Sequence, residues 1–147
     1  MYYSCLFLGV VGAGLIWTGT NPGYTEYELA HHLNTSKAKL LVADPDLYKS
    51  VLGTARKCKI SSENVLVFDN LLSEPKSTPA RSWQTLLQHG LGDWERFDDL
   101  SIAENTVACT LYSSGTTGLP KAAALSHYNR VLFILQCGWP VLKDRYQ

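Results

Sequence analysis

A 147-residue chain with 46% hydrophobic and 18% charged residues can bury a core of its own and is too apolar to be disordered. Its 13 basic and 13 acidic side chains cancel, which excludes the broad positive field that nucleic acid or an anionic membrane surface would attract. Cys5, Cys58, Cys109 and Cys137 stand far apart with no C-x-x-C pair, so zinc and dithiol spacings are absent, and thiols scattered in apolar runs imply buried side chains in a reducing compartment.

The first element is the uncharged run 5–17. A bilayer span needs roughly 20 apolar residues, and this run is interrupted by Gly9, Gly12 and Gly14. No lysine or arginine precedes it, as a signal peptide requires. It predicts a buried core helix leading into a short strand at 15–18. Asn21-Pro22-Gly23 reads as a turn, and Thr25 as an N-cap with Glu28 completing a capping box. The helix behind it carries Tyr27, Leu29, Ala30 and Leu33 and stops near Asn34. His31 and His32 on that helix point about 100° apart, a poor paired metal site, and read as surface or partly buried residues.

Residues 39–43 predict a second strand, ended by Asp44-Pro45. Leu47, Val51, Leu52 and Ala55 recur at helical spacing, with Gly53 weakening the helix. A third strand is predicted at 64–68, a proline- and serine-rich loop at 72–82, and a short helix at 83–88 with Gly90 at its exit. The acidic stretch 93–104 reads as a solvated connector. A strand at 106–112, a strand-prone run at 122–125 and a final apolar helix at 127–139 complete the chain, with His127 either capping that helix or packing near the glycine-rich loop at 112–121, a catalytic base being the lesser alternative. Alternating strands and helices with short connections predict an α/β fold, with a mainly parallel sheet and flanking helices. Trp17, Trp83, Trp94 and Trp139 are dispersed, which fits packing rather than a base-stacking platform.

Between the last two strand-like runs lies Tyr112-Ser113-Ser114-Gly115-Thr116-Thr117-Gly118-Leu119-Pro120-Lys121. Glycines let backbone N–H groups approach a ligand, hydroxyls hydrogen-bond phosphate oxygens, and a lysine follows negative charge. Polyphosphate binding is the chemistry this composition suits. The spacing is not that of a Walker A loop, because Leu119-Pro120 separates Gly118 from Lys121 and a strand-like run follows. No G-x-G-x-x-G follows a strand, so the dinucleotide fingerprint is missing too. A plain serine- and glycine-rich turn is the alternative.

The stretch 112–121 resembles the phosphate-loop signature of the adenylate-forming (AMP-binding) superfamily of acyl- and aryl-CoA ligases, luciferase and peptide-synthetase adenylation domains. It is most similar to the 4-coumarate–CoA ligase-like branch of acyl-CoA synthetases. Leu8-Gly9 to Gly14, the run from Asn21 to Leu29, Ala38-Lys39-Leu40-Leu41-Val42 and Leu125-Ser126-His127 look like the flanking regions of that signature. Ala122 stands where the family usually carries glycine, and Thr110 replaces a usual apolar residue.

The resemblance implies that residues 1–147 are part of a large N-terminal domain, beginning part-way into it and ending just after the loop, with no C-terminal domain. It implies ATP, Mg²⁺ and CoA, and a small-molecule carboxylate activated as an acyl-adenylate and then as a thioester. Ser113, Ser114, Gly115, Thr116, Thr117, Gly118 and Lys121 are the implied phosphate-binding residues, with no catalytic residue assigned. Such a piece alone is expected to be inactive, a truncated nucleotide-binding or interaction fragment being the alternative. A cytoplasmic or peroxisomal location and self-association through unpaired strand edges complete the expectations.

Overall fold

The computed structural model describes residues 2–69, 80–90, 92–113 and 119–145, with side chains described from Tyr3 to Gln136 within them. In chain order the elements are α1 (Tyr2–Gly12), β1 (Trp17–Thr18), α2 (Glu26–Ser36), β2 (Leu41–Ala43), α3 (Tyr48–Lys57), a 3₁₀ turn (Ser62–Asn64), β3 (Val65–Val67), a 3₁₀ helix (Trp83–His89), α4 (Leu100–Asn105), β4 (Val107–Ser113), β5 (Lys121–Ser126) and α5 (His127–Arg145). The architecture is α/β, and both resolved registers are parallel. Most of the loop expected at 72–82 lies outside the described residues. The chain forms two compact units, one of Met1–Gly19, Gly92–Ser113 and Ala122–Gln147, the other of Thr20–Leu91 and Ser114–Lys121.

In the first unit β4 lies between β1 and β5. Trp17 pairs with Cys109 and Thr18 with Thr110 in parallel register, and Thr18 Oγ1 donates to the Thr110 carbonyl at 3.0 Å. The seven residues separating β4 from β5 are too few for a parallel crossover, so these strands run antiparallel. Ala108 and Cys109 form the centre of this core.

The apolar N-terminal run is helical as expected, but it is not buried: Tyr3 and Leu8 are 57% and 49% exposed. Apolar side chains surround α1, whereas its contacts occupy part of its circumference. Trp17 meets Tyr3 and Phe7 edge-on, the Arg130 guanidinium lies 4.9 Å from the Phe7 ring, and Trp94 closes over Gly12. A β-carbon on Gly12 would fall 2.4 Å from a Trp94 ring carbon, so the close approach requires glycine. The acidic connector is therefore partly docked, and the Glu95 N–H donates to the Gly12 carbonyl at 2.7 Å. Its end forms α4, a helix outside the sequence expectations, capped where the Asp99 carboxylate accepts the Ile102 N–H at 3.0 Å.

In the second unit β2 and β3 pair in parallel, Leu41 with Val65 through Ala43 with Val67. Val65, Leu66 and Val67 are all buried, the continuous apolar pattern of a strand covered on both faces. Leu29, His32 and Leu33 from α2, Thr54 and Ala55 from α3, and Trp83 complete this core. The Trp83 indole N–H donates to the Asp69 carbonyl at 2.9 Å, and the Ser82 hydroxyl donates to the Asp69 carboxylate at 2.6 Å. His32 was expected at or near the surface and is instead fully buried, because it shares the inner face of α2 with Leu29 and Leu33. Burial, and secondarily the nearby His31, lower its pKa and favour the neutral imidazole.

The capping box is present as the sequence predicts. The Thr25 N–H and hydroxyl both donate to the Glu28 carboxylate at 2.8 Å, and the Glu28 N–H donates to Thr25 Oγ1 at 3.3 Å. The Thr25 backbone bond, then its hydroxyl, hold the Glu28 carboxyl below its usual pKa. That contribution is present above the unfolded carboxyl pKa of about 4.3 and is lost as pH falls through the lower folded value. Thr25→Ala should lower stability by about 1 kcal/mol in urea unfolding. No change in the unfolding midpoint would count against the cap.

Candidate functional site

β4 rises out of the first core: Ala108 and Cys109 are buried, Leu111 is 47% exposed, and Ser113 at the strand's end is exposed. Because β4 runs parallel to β1, Ser113 stands at the carboxyl end of a parallel pair, the edge where α/β sheets place ligand-binding loops. Ser114, Gly115, Thr116, Thr117 and Gly118 lie outside the described residues. After them Pro120 is buried, and Lys121 opens β5 with its side chain exposed. No carboxylate pairs with Lys121 among the described residues. Ala122, at the position where the resemblance expects glycine, is exposed and sits in regular strand.

The far end of β5 is locked to α5 by a local hydrogen-bond ring. Ser126 is 7% exposed; its hydroxyl donates to Asn129 Oδ1 at 2.9 Å and accepts the Asn129 N–H at 3.3 Å. Asn129 Oδ1 also accepts the Ser126 N–H at 3.2 Å. This Ser-x-x-Asn pair does the capping in place of His127, whose ring packs instead on the connector; residues 114–118 of the loop it was expected to pack near lie outside the described residues. The His127 N–H donates to the Thr106 carbonyl at 3.1 Å, and its ring lies on Phe97 with centroids 4.0 Å apart. Nε2 of His127 is buried with no hydrogen-bond partner among the described residues.

Burial lowers the His127 pKa. A histidine with a depressed folded pKa contributes fully above its unfolded value of about 6.5, and that contribution is lost as pH falls from there through the folded value. An NMR titration should therefore place the His127 midpoint below 6.5. A midpoint at or above it would show the ring to be solvated.

The thiols divide by environment. Cys5 is exposed, contrary to the buried expectation, because it sits on the open side of α1; Cys58 is half-buried and Cys109 buried, and all three are free. Burial raises the Cys109 pKa and keeps it a thiol, outside nucleophilic chemistry. Among the described residues no group of three or more His, Cys, Asp or Glu side chains could hold a metal ion, and no helix is long and apolar enough to cross a membrane.

A family model described as AMP-binding enzyme matches residues 2–146. The acyl-CoA ligase azaF of Aspergillus niger is 42% identical over 130 residues, which cover 88% of this chain and 24% of that protein. The chain thus spans about a quarter of that relative's length, 24%. Among solved structures, a natural red-emitting luciferase from Phrixothrix hirtus shares the fold with a TM-score of 0.69 at 23% identity, over 86% of this chain and 30% of the luciferase. The ATP-bound MatB of Rhodopseudomonas palustris matches with a TM-score of 0.59 at 27% identity, over 89% of this chain and 24% of that one.

Proposed function

The chain belongs to the AMP-binding enzyme family, and on that premise we propose that it carries the phosphate-binding segment of an ATP-dependent acyl- or aryl-CoA ligase. In this reading residues 1–147 are part of the family's large N-terminal domain. A carboxylate oxygen attacks the α-phosphorus of ATP, the bond to the β-phosphate oxygen breaks, and pyrophosphate leaves with the electron pair. A thiolate, that of CoA, then attacks the acyl carbon and AMP departs. The segment 113–121 serves the first step. Ser113, Ser114, Thr116 and Thr117 offer hydroxyl and amide donors, Gly115 and Gly118 admit the phosphates to the backbone, and Lys121 follows the charge that moves onto pyrophosphate.

The observation that carries this reading is the exposed Lys121, unpaired among the described residues and separated from the hydroxyl- and glycine-rich run only by Leu119-Pro120. A magnesium ion suits the same segment, since hydroxyl and phosphate oxygens are the hard donors it prefers. When bound, Mg²⁺ neutralises part of the β,γ-phosphate charge. No residue of this chain is assigned to CoA or to the carboxylate. The free thiols at Cys5, Cys58 and Cys109 support a reducing compartment such as the cytoplasm.

A second reading is nucleotide binding by the same segment without turnover. Calorimetric titration with Mg·ATP, run beside pyrophosphate release over a panel of aliphatic and aromatic carboxylates, separates the two. Binding with release supports a competent ligase, binding alone supports the second reading, and neither overturns both. The outer strands β1, β5 and β2 offer edges for self-association, which sedimentation at rising concentration would register.

A further inference from the structure

α2 and α3 end in the same closing turn. The Lys37 N–H donates to the Asn34 carbonyl at 3.3 Å and the Ala38 N–H to the Leu33 carbonyl at 3.2 Å. In α3 the Lys59 N–H donates to the Arg56 carbonyl at 3.0 Å and the Ile60 N–H to the Ala55 carbonyl at 2.9 Å. Each turn needs one left-handed residue, and in both it is lysine: Lys37 has φ 53° and Lys59 φ 62°, the two non-glycine residues with positive φ among those described. Glycine is the usual occupant, because a β-carbon there crowds the following carbonyl.

The parallel pairing of β2 with β3 brings these two turns together. With Lys39 and Asn64, which lead into the strands, and with Asn34 and Ser61, the two lysines line one cavity of about 430 Å³ in the second unit. No aspartate or glutamate lines it; Glu63, next in sequence to Asn64, lines a separate cavity with Arg56 and Arg81.

We propose that this cavity binds a small oligophosphate anion, with Lys37, Lys39 and Lys59 as its cationic wall and Asn34, Asn64 and Ser61 as neutral polar partners. Three point charges on separate stems suit a ligand that carries several charges over several oxygens, whereas a single carboxylate engages only one. Helix-end electrostatics alone do not explain the pattern. Lysine complements a helix C-terminus from any position in the last turn, and in α3 Arg56 and Lys57 already do so from right-handed positions. At the two turns the Leu33, Asn34, Ala55 and Arg56 carbonyls each already accept a backbone N–H, so these four are engaged away from the ammonium groups. The site uses no residue of the segment 113–121 and does not rest on the proposed ligase activity.

The test is a ¹⁵N NMR titration of the chain with inorganic pyrophosphate, beside the double variant Lys37→Gly, Lys59→Gly. Glycine relieves the left-handed backbone, so the variant should melt at the wild-type temperature or above it while losing two cations. The wild type should show saturable shifts at the Lys37, Ala38, Lys59 and Ile60 amides, and the variant should bind at least about tenfold more weakly. Orthophosphate should bind more weakly than pyrophosphate, and an ATP arm tells whether the phosphate tail of a nucleotide also fits. The proposal fails if those amides show no saturable shift in the millimolar range, if the folded variant binds as well as wild type, or if Lys121→Ala abolishes the same shifts, which would assign the binding to the loop.

Discussion

Leu66→Ala should cost about 3 kcal/mol of stability, within the range of roughly 2–5 kcal/mol for a leucine cut back to alanine in a packed core. Leu66 is 0% exposed and is among the largest fully buried side chains of the described residues. It is the middle residue of β3, opposite Val42, with Val65 and Val67 buried on either side. Removing its three outer carbons forfeits roughly 2 kcal/mol of transfer free energy, and the void adds the rest, since a short strand held in register cannot collapse inward. A domain of ordinary stability has only about 5–15 kcal/mol in all, so the loss moves the urea midpoint visibly. Trp83, 3% exposed in the same unit, provides the fluorescence signal. Leu87→Ala, at a side chain 59% exposed, is the control and should change stability by less than about 0.5 kcal/mol. Equal effects at the two positions would remove β3 from the core.

Lys121→Ala should weaken Mg·ATP binding by roughly 10- to 100-fold, the range of a charge-assisted hydrogen bond worth about 1.5–3 kcal/mol. The side chain is exposed and has no ion pair among the described residues, so the substitution should leave unfolding within about 0.5 kcal/mol of wild type. Lys121→Arg should recover part of the affinity, because charge is kept while the compact point charge is replaced by a planar fork. The wild-type affinity should also fall with added salt, as an exposed ion contact must. A variant that binds Mg·ATP as well as wild type would detach Lys121 from the triphosphate and leave the loop as a connector.

Local chemistry was legible wherever one or two residues decide the outcome. Thr25 and Glu28 specify their capping box within one turn, and Asn21-Pro22-Gly23 closes with the Gly23 N–H on Asn21 Oδ1 at 2.9 Å. The apolar runs of β2 and β3 could be read as strands because β-branched residues and flanking breakers bound them. The resemblance carried by the stretch 112–121 likewise pointed to the family whose model matches residues 2–146.

Burial was not legible in the same way. Identical apolarity leaves α1 largely exposed and β3 fully covered, and a histidine expected near the surface closes the second core at His32. The acidic connector docks through Trp94 on Gly12 and through Phe97 on His127, contacts that no local pattern encodes. The lysine-lined cavity exists only because two helix ends, distant in sequence, are held side by side by the pairing of β2 with β3. Caps, turns and strand propensity act over a few residues, so the sequence by itself determined them. Which faces meet, and therefore which side chains lose water and which stay charged and exposed, depends on partners far along the chain, and only the tertiary structure decided that.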